Sequence, residues 1–148
     1  MIAFGKSSNS FPLVGGSTFS VPFGVDNNQL FFVLPVDVTL TGIAANFNNF
    51  SSFVPNAGTQ FTPYIAVATP AIGTYNFTII PASISYASSS YIGGVNNPNT
   101  TILSVVNNAL AINITAGTII AIVGGWTDLS GTQSLSEFIY MEGSLFFS

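Results

Sequence analysis

The chain has 148 residues, 48% of them hydrophobic and 14% aromatic, yet it carries one basic and five acidic side chains, for a net charge of −4. About a quarter of the residues of an ordinary domain are charged. With no His, Cys or Arg and with Lys6 as the sole cation, nucleophile–base pairs and imidazole or thiolate metal sites have almost nothing to be built from, and nucleic acid or an anionic membrane, which are bound through Lys and Arg, are not expected as partners.

Taken in chain order, the first segment is an arm, residues 1–16, followed by one domain, residues 17–148. The arm has neither the apolar run of about 7–15 residues nor the cleavage site of a secretory signal, but Ile2, Phe4, Phe11, Leu13 and Val14 are too apolar for a solvated tail. They are the candidate contacts of an inter-subunit arm, by addition of a strand to a neighbour's sheet. No later segment reaches the ~18 unbroken apolar residues of a spanning helix. A small membrane barrel alternates an apolar lipid face with a polar lumen, whereas residues 30–34 and 119–123 are apolar on both faces.

Runs rich in β-branched and aromatic residues, separated by Gly, Pro, Asn and Ser clusters, predict an all-β domain. Strands are expected at 18–23, 30–35, 38–47, 60–68, 75–86, 101–106, 110–114, 118–125 and 137–147. This number of short strands points to a single β-sandwich or jelly roll. In 38–47 the apolar set changes parity between Leu40 and Ile43, which predicts a β-bulge at Gly42. In 110–114, Leu110, Ile112 and Ile114 alternate with Ala111 and Asn113, the pattern of a half-exposed strand. The run 60–68 offers Phe61, Ile65 and Val67 on one face and Tyr64, Ala66 and Ala68 on the other. Strands apolar on both faces imply more cover than one sandwich supplies, and together with the missing charge they predict a surface covered by further copies of the chain.

Chemistry-bearing residues are few. Glu137 and Glu142 lie five apart on one expected strand and so point to opposite faces, which separates them as a glycosidase pair and suits carboxylates that limit aggregation. Asp26, Asp37 and Asp128 form no Asp-x-Asp-x-Asp-Gly loop for Ca²⁺ and are read as turn-forming; no metal, cofactor or catalytic site is expected. Trp126, after Gly124-Gly125, and Tyr91, beside Gly93-Gly94, are the candidate glycan contacts, against an alternative in which Trp126 closes the core. Asn49, Asn76, Asn99 and Asn113 begin Asn-x-Ser/Thr triplets. Trypsin has no site beyond Lys6, and no Asn-Gly or Asp-Pro pair is present, as suits a long-lived exterior protein.

The run Leu30-Phe31-Phe32-Val33-Leu34-Pro35-Val36-Asp37-Val38-Thr39-Leu40-Thr41-Gly42-Ile43-Ala44-Ala45-Asn46-Phe47 resembles a segment of the C-terminal domain of the BclB-type exosporium glycoproteins of bacterial spores. In that family a hydrophobic strand, a Pro, an Asp turn and a Thr-Ile-Ala-Ala-aromatic strand follow in this order. Residues 62–69, 75–85 and 111–123 resemble its next strands. Two features depart: Val36-Asp37-Val38 stands where the family has Arg-Asp-Gly, and there is no collagen-like Gly-X-Y stalk. The resemblance implies a jelly roll similar to those of tumour necrosis factor and complement, associating as a homotrimer on the endospore exterior. Spore-surface proteins need no secretion signal. The expectation is therefore a structural, self-associating subunit of an extracellular surface layer or appendage, as homotrimer or filament, with a glycan- or receptor-binding tip module as the alternative.

Overall fold

A computed structural model describes residues 2–5, 17–20, 31–128 and 139–148. Its strands are β1 (Ile2–Gly5), β2 (Thr18–Ser20), β3 (Phe31–Val33), β4 (Val38–Asn49), β5 (Gln60–Pro70), β6 (Asn76–Ile79), β7 (Ser85–Tyr86), β8 (Tyr91–Ile92), β9 (Ile102–Asn107), β10 (Ile112–Ile114), β11 (Ile119–Asp128) and β12 (Ile139–Phe147). Among the described residues the only helical element is a 3₁₀ turn, Pro81–Ser83. The fold is an all-β sandwich of two antiparallel sheets. The front sheet runs β1-β12-β4-β10 with β9 also on β4, and the back sheet runs β2-β6-β5-β11-β3 with β7 and β8 also on β5.

The pairings nest. β1 pairs with β12, β3 with β11, β4 with β10 and β9, and β5 with β8, β7 and β6 in turn. Apart from β2, which pairs with β6, the described strands thus form a two-stranded ribbon whose tip is the turn at 71–75, where Ala71 accepts hydrogen bonds from the Thr74 N–H and hydroxyl. Wrapping that ribbon brings β12 beside β4 and β11 beside β5, which closes the sheets. Wrapping of this kind gives a two-sheet sandwich with few open edges.

Between the sheets lies the main core, with Leu40, Ile43, Phe47, Phe61, Ile65, Val67, Leu103, Val105, Ile120 and Leu145 all buried. The expected bulge is present one residue early. Phe146 faces Gly42 while Phe147 faces Leu40, so Thr41 is the extra residue. Its insertion lets Leu40 and Ile43, three apart, both point inward and be fully buried. The Thr41 hydroxyl donates to the Phe146 carbonyl, and its own carbonyl accepts from the Leu110 N–H. Gly42 belongs beside it because a Cβ there would sit 3.1 Å from the Asn107 carbonyl oxygen. The alternation at 110–114 also holds: Ile114 is buried, Leu110 and Ile112 pack partly on the core, and Ala111 and Asn113 are exposed.

Three expectations need correcting. The single strand expected at 75–86 is β6, a 3₁₀ turn and β7. Pro81 opens that turn because it has no N–H to give the ladder. Fully buried Ser83 then replaces the departed strand: its hydroxyl accepts from the Val67 N–H at 2.8 Å and donates to the Ile80 carbonyl at 2.7 Å. Second, β1 and β8 are strands where none was expected, each too short for a periodic signal. Third, the outer face of β5 is covered by its own chain. Tyr64, Ala66, Ala68 and Ala121 are buried with Phe19, Phe77 and Ile79 in a second cluster on the outside of the back sheet. The alanines leave room for longer side chains from the flanking strands: Phe77 stacks with Phe19 at 5.3 Å and with Phe31 at 5.0 Å between ring centres.

Candidate functional surface

The front sheet has no such cover among the described residues. Its outer face is built from the alternate residues of β9, β4 and β12. Register places Ile102, Asn48 and Tyr140 in one row, Ser104, Asn46 and Glu142 in the next, Val106, Ala44 and Ser144 in a third, then Gly42 beside Phe146. Ile102 is 59% and Val106 68% exposed, and Tyr140 and Phe146 are exposed on the other flank. Exposed Phe50, just past β4, packs edge-on against Tyr140 with ring centres 5.7 Å apart. The middle row is polar, with the Ser104 hydroxyl donating to Asn46 Oδ1 at 2.7 Å and exposed Glu142 beside it. The result is two apolar bands around a polar strip bearing one carboxylate. Sequence reading missed the face, since only register puts residues from three distant segments side by side; the exposed halves of the alternating strands were its only local signal.

The expected site residues are scattered. Ile2 and Phe4 lie in β1, which pairs with residues 142–145 of β12 in the same chain. That edge of β12 takes residues 2–5 from its own chain, where a tethered strand has the advantage of effective concentration. Phe11, Leu13 and Val14 lie outside the described residues, as do Asp26, Glu137 and Lys6. Asp37 lies between the bend at 35–36 and β4, and its Oδ1 ties this segment to the loop before β11 by accepting from the Ala116 N–H at 2.7 Å. No cluster of three or more metal-ligating side chains occurs among the described residues.

Tyr91 is no glycan contact: it is fully buried and packs on Phe53 at 5.2 Å between ring centres. Trp126 lies half-buried opposite Pro63 and packs on the main core. The exposed aromatic of this region is Tyr86, paired with Tyr64 at 5.9 Å on the back sheet. Burial, and then neighbouring Tyr86, raise the Tyr64 phenol above its ordinary range.

Around Tyr91 the loops are tied by two buried amides. Asn49 Nδ2 donates to the carbonyls of Ser51, Asn97 and Pro98. Asn97 Nδ2 faces the carbonyls of Phe53, Ile92 and Val95, and its Oδ1 accepts from the Ile92 N–H. Of the four glycosylation triplets, that of Asn49 is therefore closed in the folded chain, since its amide nitrogen is already committed and buried. Gly93 is held in the same region by its N–H on the Thr59 carbonyl, and a Cβ there would meet the Asn56 carbonyl oxygen.

The Tyr91 hydroxyl has no hydrogen-bond partner, and burial pushes its pKa up to about 12 from 10.0. The unfolded chain ionises this phenol from pH 10.0 while the folded one holds its proton until about 12, so its stabilising contribution is intact below pH 10.0 and lost as pH rises through that window. Tyr91→Phe removes an unpaired buried hydroxyl. At pH 7 it is expected to leave stability unchanged or raise it by about 1 kcal/mol, and to flatten the alkaline fall, read by urea unfolding at a series of pH values. A loss above about 1 kcal/mol at pH 7 would show the hydroxyl to be satisfied in solution.

Comparison with models of known families, with curated proteins and with solved structures finds no match to this chain.

Proposed function

We propose that this chain is a structural subunit that self-associates through apolar β surface, as part of an extracellular layer or appendage of a bacterium, in line with its resemblance to the jelly-roll domains of endospore exosporium proteins. One observation carries the reading: the outer face of the front sheet presents Ile102, Val106, Tyr140, Phe146 and Phe50 to solvent around the single carboxylate of Glu142. Soluble monomers keep such patches small and hold neighbours off with mixed surface charge. Here no residue between Asp37 and Asp128 is charged. Covering the face with another copy removes the apolar side chains from water at ~25 cal/mol per Å², and little charge has to be desolvated to do so.

Assembly of this kind is salt-resistant, because screening weakens ionic contacts and leaves apolar ones. Sedimentation velocity over a concentration series is expected to show reversible or stable oligomers that persist in 1 M NaCl. A single-copy species throughout the series overturns the reading. The rival, a glycan-binding tip module, draws on the exposed ring of Tyr86 beside Tyr64 and on the neutral hydroxyls of Thr62 and Ser90, which hydrogen-bond to each other at 2.6 Å. Glycan binding by a monomer, abolished in Tyr86→Ala, is the outcome that selects it.

A further inference from the structure

We propose that β9 is the strand through which two copies of this chain join, antiparallel and centred on Ser104, so that the front sheet continues from one molecule into the next. The inference rests on the self-association reading and assigns its contact.

β9 pairs with β4 from Ile102 against Asn48 to Asn107 against Ile43, and among the described residues no strand pairs with its other side. An edge of this kind displays a row of backbone donors and acceptors, and soluble proteins guard it with charge, Pro, a bulge or shortness. β9 has none of these guards. It runs for six residues, Ile-Leu-Ser-Val-Val-Asn, in unbroken register with β4 and without a charged residue, Pro or Gly. β1 at the opposite end of the sheet has four residues and β10 has three.

The sequence of β9 is also its own complement. Read outward from Ser104, Leu103 mirrors Val105 and Ile102 mirrors Val106. Antiparallel pairing of two copies about Ser104 sets exposed Ile102 against Val106 of the second copy on the outer face. It likewise sets core-facing Leu103 against Val105, with Ser104 opposite its own counterpart. Between Ile102 and Val106 every cross-strand pair but the central one is then apolar with apolar, the combination that stabilises adjacent strands, and at the margin Asn107 faces Thr101 of the second copy. A slip of one residue would turn one copy's core face to the other's solvent face, and a slip of two would set Ile102 or Val106 against Ser104. The two-fold contact closes on itself and yields a dimer. A longer assembly then needs a second contact, which the apolar bands of the front sheet, continuous across the joined strands, are placed to supply.

The chain contains no cysteine, so a single introduced thiol reports the register. Directly opposed side chains of an antiparallel pair lie ~4.5–5.5 Å apart at Cβ, close to disulfide geometry. Ser104→Cys, under mild oxidation at micromolar concentration, is expected to give a covalent dimer much faster than Ser88→Cys, a thiol at an exposed loop position. Ser104→Lys sets like charges face to face at the centre and is expected to weaken association at least ~10-fold at unchanged melting temperature. Should that variant not fold, amide exchange of wild-type Leu103–Val106 carries the same information, with protection expected to rise with protein concentration. Equal cross-linking of the two thiols, or amide protection at β9 that ignores concentration while the wild type associates, overturns the assignment and leaves self-association standing. A wild type that stays monomeric removes both.

Discussion

Asn97→Ala is expected to lower the unfolding free energy by about 3–5 kcal/mol, among the largest effects of any single substitution in this chain. Asn97 is 7% exposed, and its side chain holds the loops after β4 and β8 together through three carbonyls and one N–H. Its backbone adds a two-way bridge to Phe53. Truncation leaves the part-buried Ile92 N–H and Ile92 and Val95 carbonyls without that partner and the buried Phe53 carbonyl with the Asn97 N–H alone, and a polar group stranded away from water is worth about 1–3 kcal/mol. Asn97→Asp keeps the shape but aims an oxygen at the same carbonyls, so at pH 7 it is expected to be at least as damaging. Acidification is expected to relieve the aspartate variant in part, because only a protonated carboxyl can donate. Urea unfolding checks both variants. A loss for Asn97→Ala below about 1 kcal/mol would mean that water replaces the amide and that the loops are not held as described.

The second large effect is expected at Phe77, whose ring is almost fully buried on the outside of the back sheet between Phe19 and Phe31. Phe77→Ala removes two ring stacks and opens a hole beside Ala68 and Ile79. The expected loss is about 3–5 kcal/mol, the usual range for a buried Phe truncated to Ala. Phe77→Leu keeps most of the volume, and its loss is expected to be about half as large. Thermal melts of the two variants with and without an apolar dye measure both the loss and the exposure of the uncovered alanines. A change below about 1 kcal/mol in Phe77→Ala would show that the cluster is not load-sharing and that the outer face of β5 is covered by something else.

Strand positions were legible because the signal is local. In 110–114 the alternation is carried by five consecutive residues, and in 38–47 even the bulge shows as a change of parity between Leu40 and Ile43. The break at Pro81 is also local but is masked by the apolar run around it, and the role of Ser83 depends on Val67, sixteen residues away in the chain, losing its ladder partner. Tyr91 beside two glycines looked like an exposed loop aromatic. In the fold those glycines let backbone segments approach closely over it, so the same local pattern marks a sealed interior.

By itself the sequence determined the all-β class, the near-absence of charged chemistry and the placement of most strands, since side-chain type and a two-residue period act over a few neighbouring residues. Only the tertiary structure decided which apolar faces are left open. The outer face of β5 is roofed by phenylalanines from β2, β3 and β6, while that of the front sheet, assembled from β4, β9 and β12, has no such roof among the described residues. Exposure is a property of what lies across a sheet, and strands far apart in sequence become neighbours only once the ribbon has wrapped.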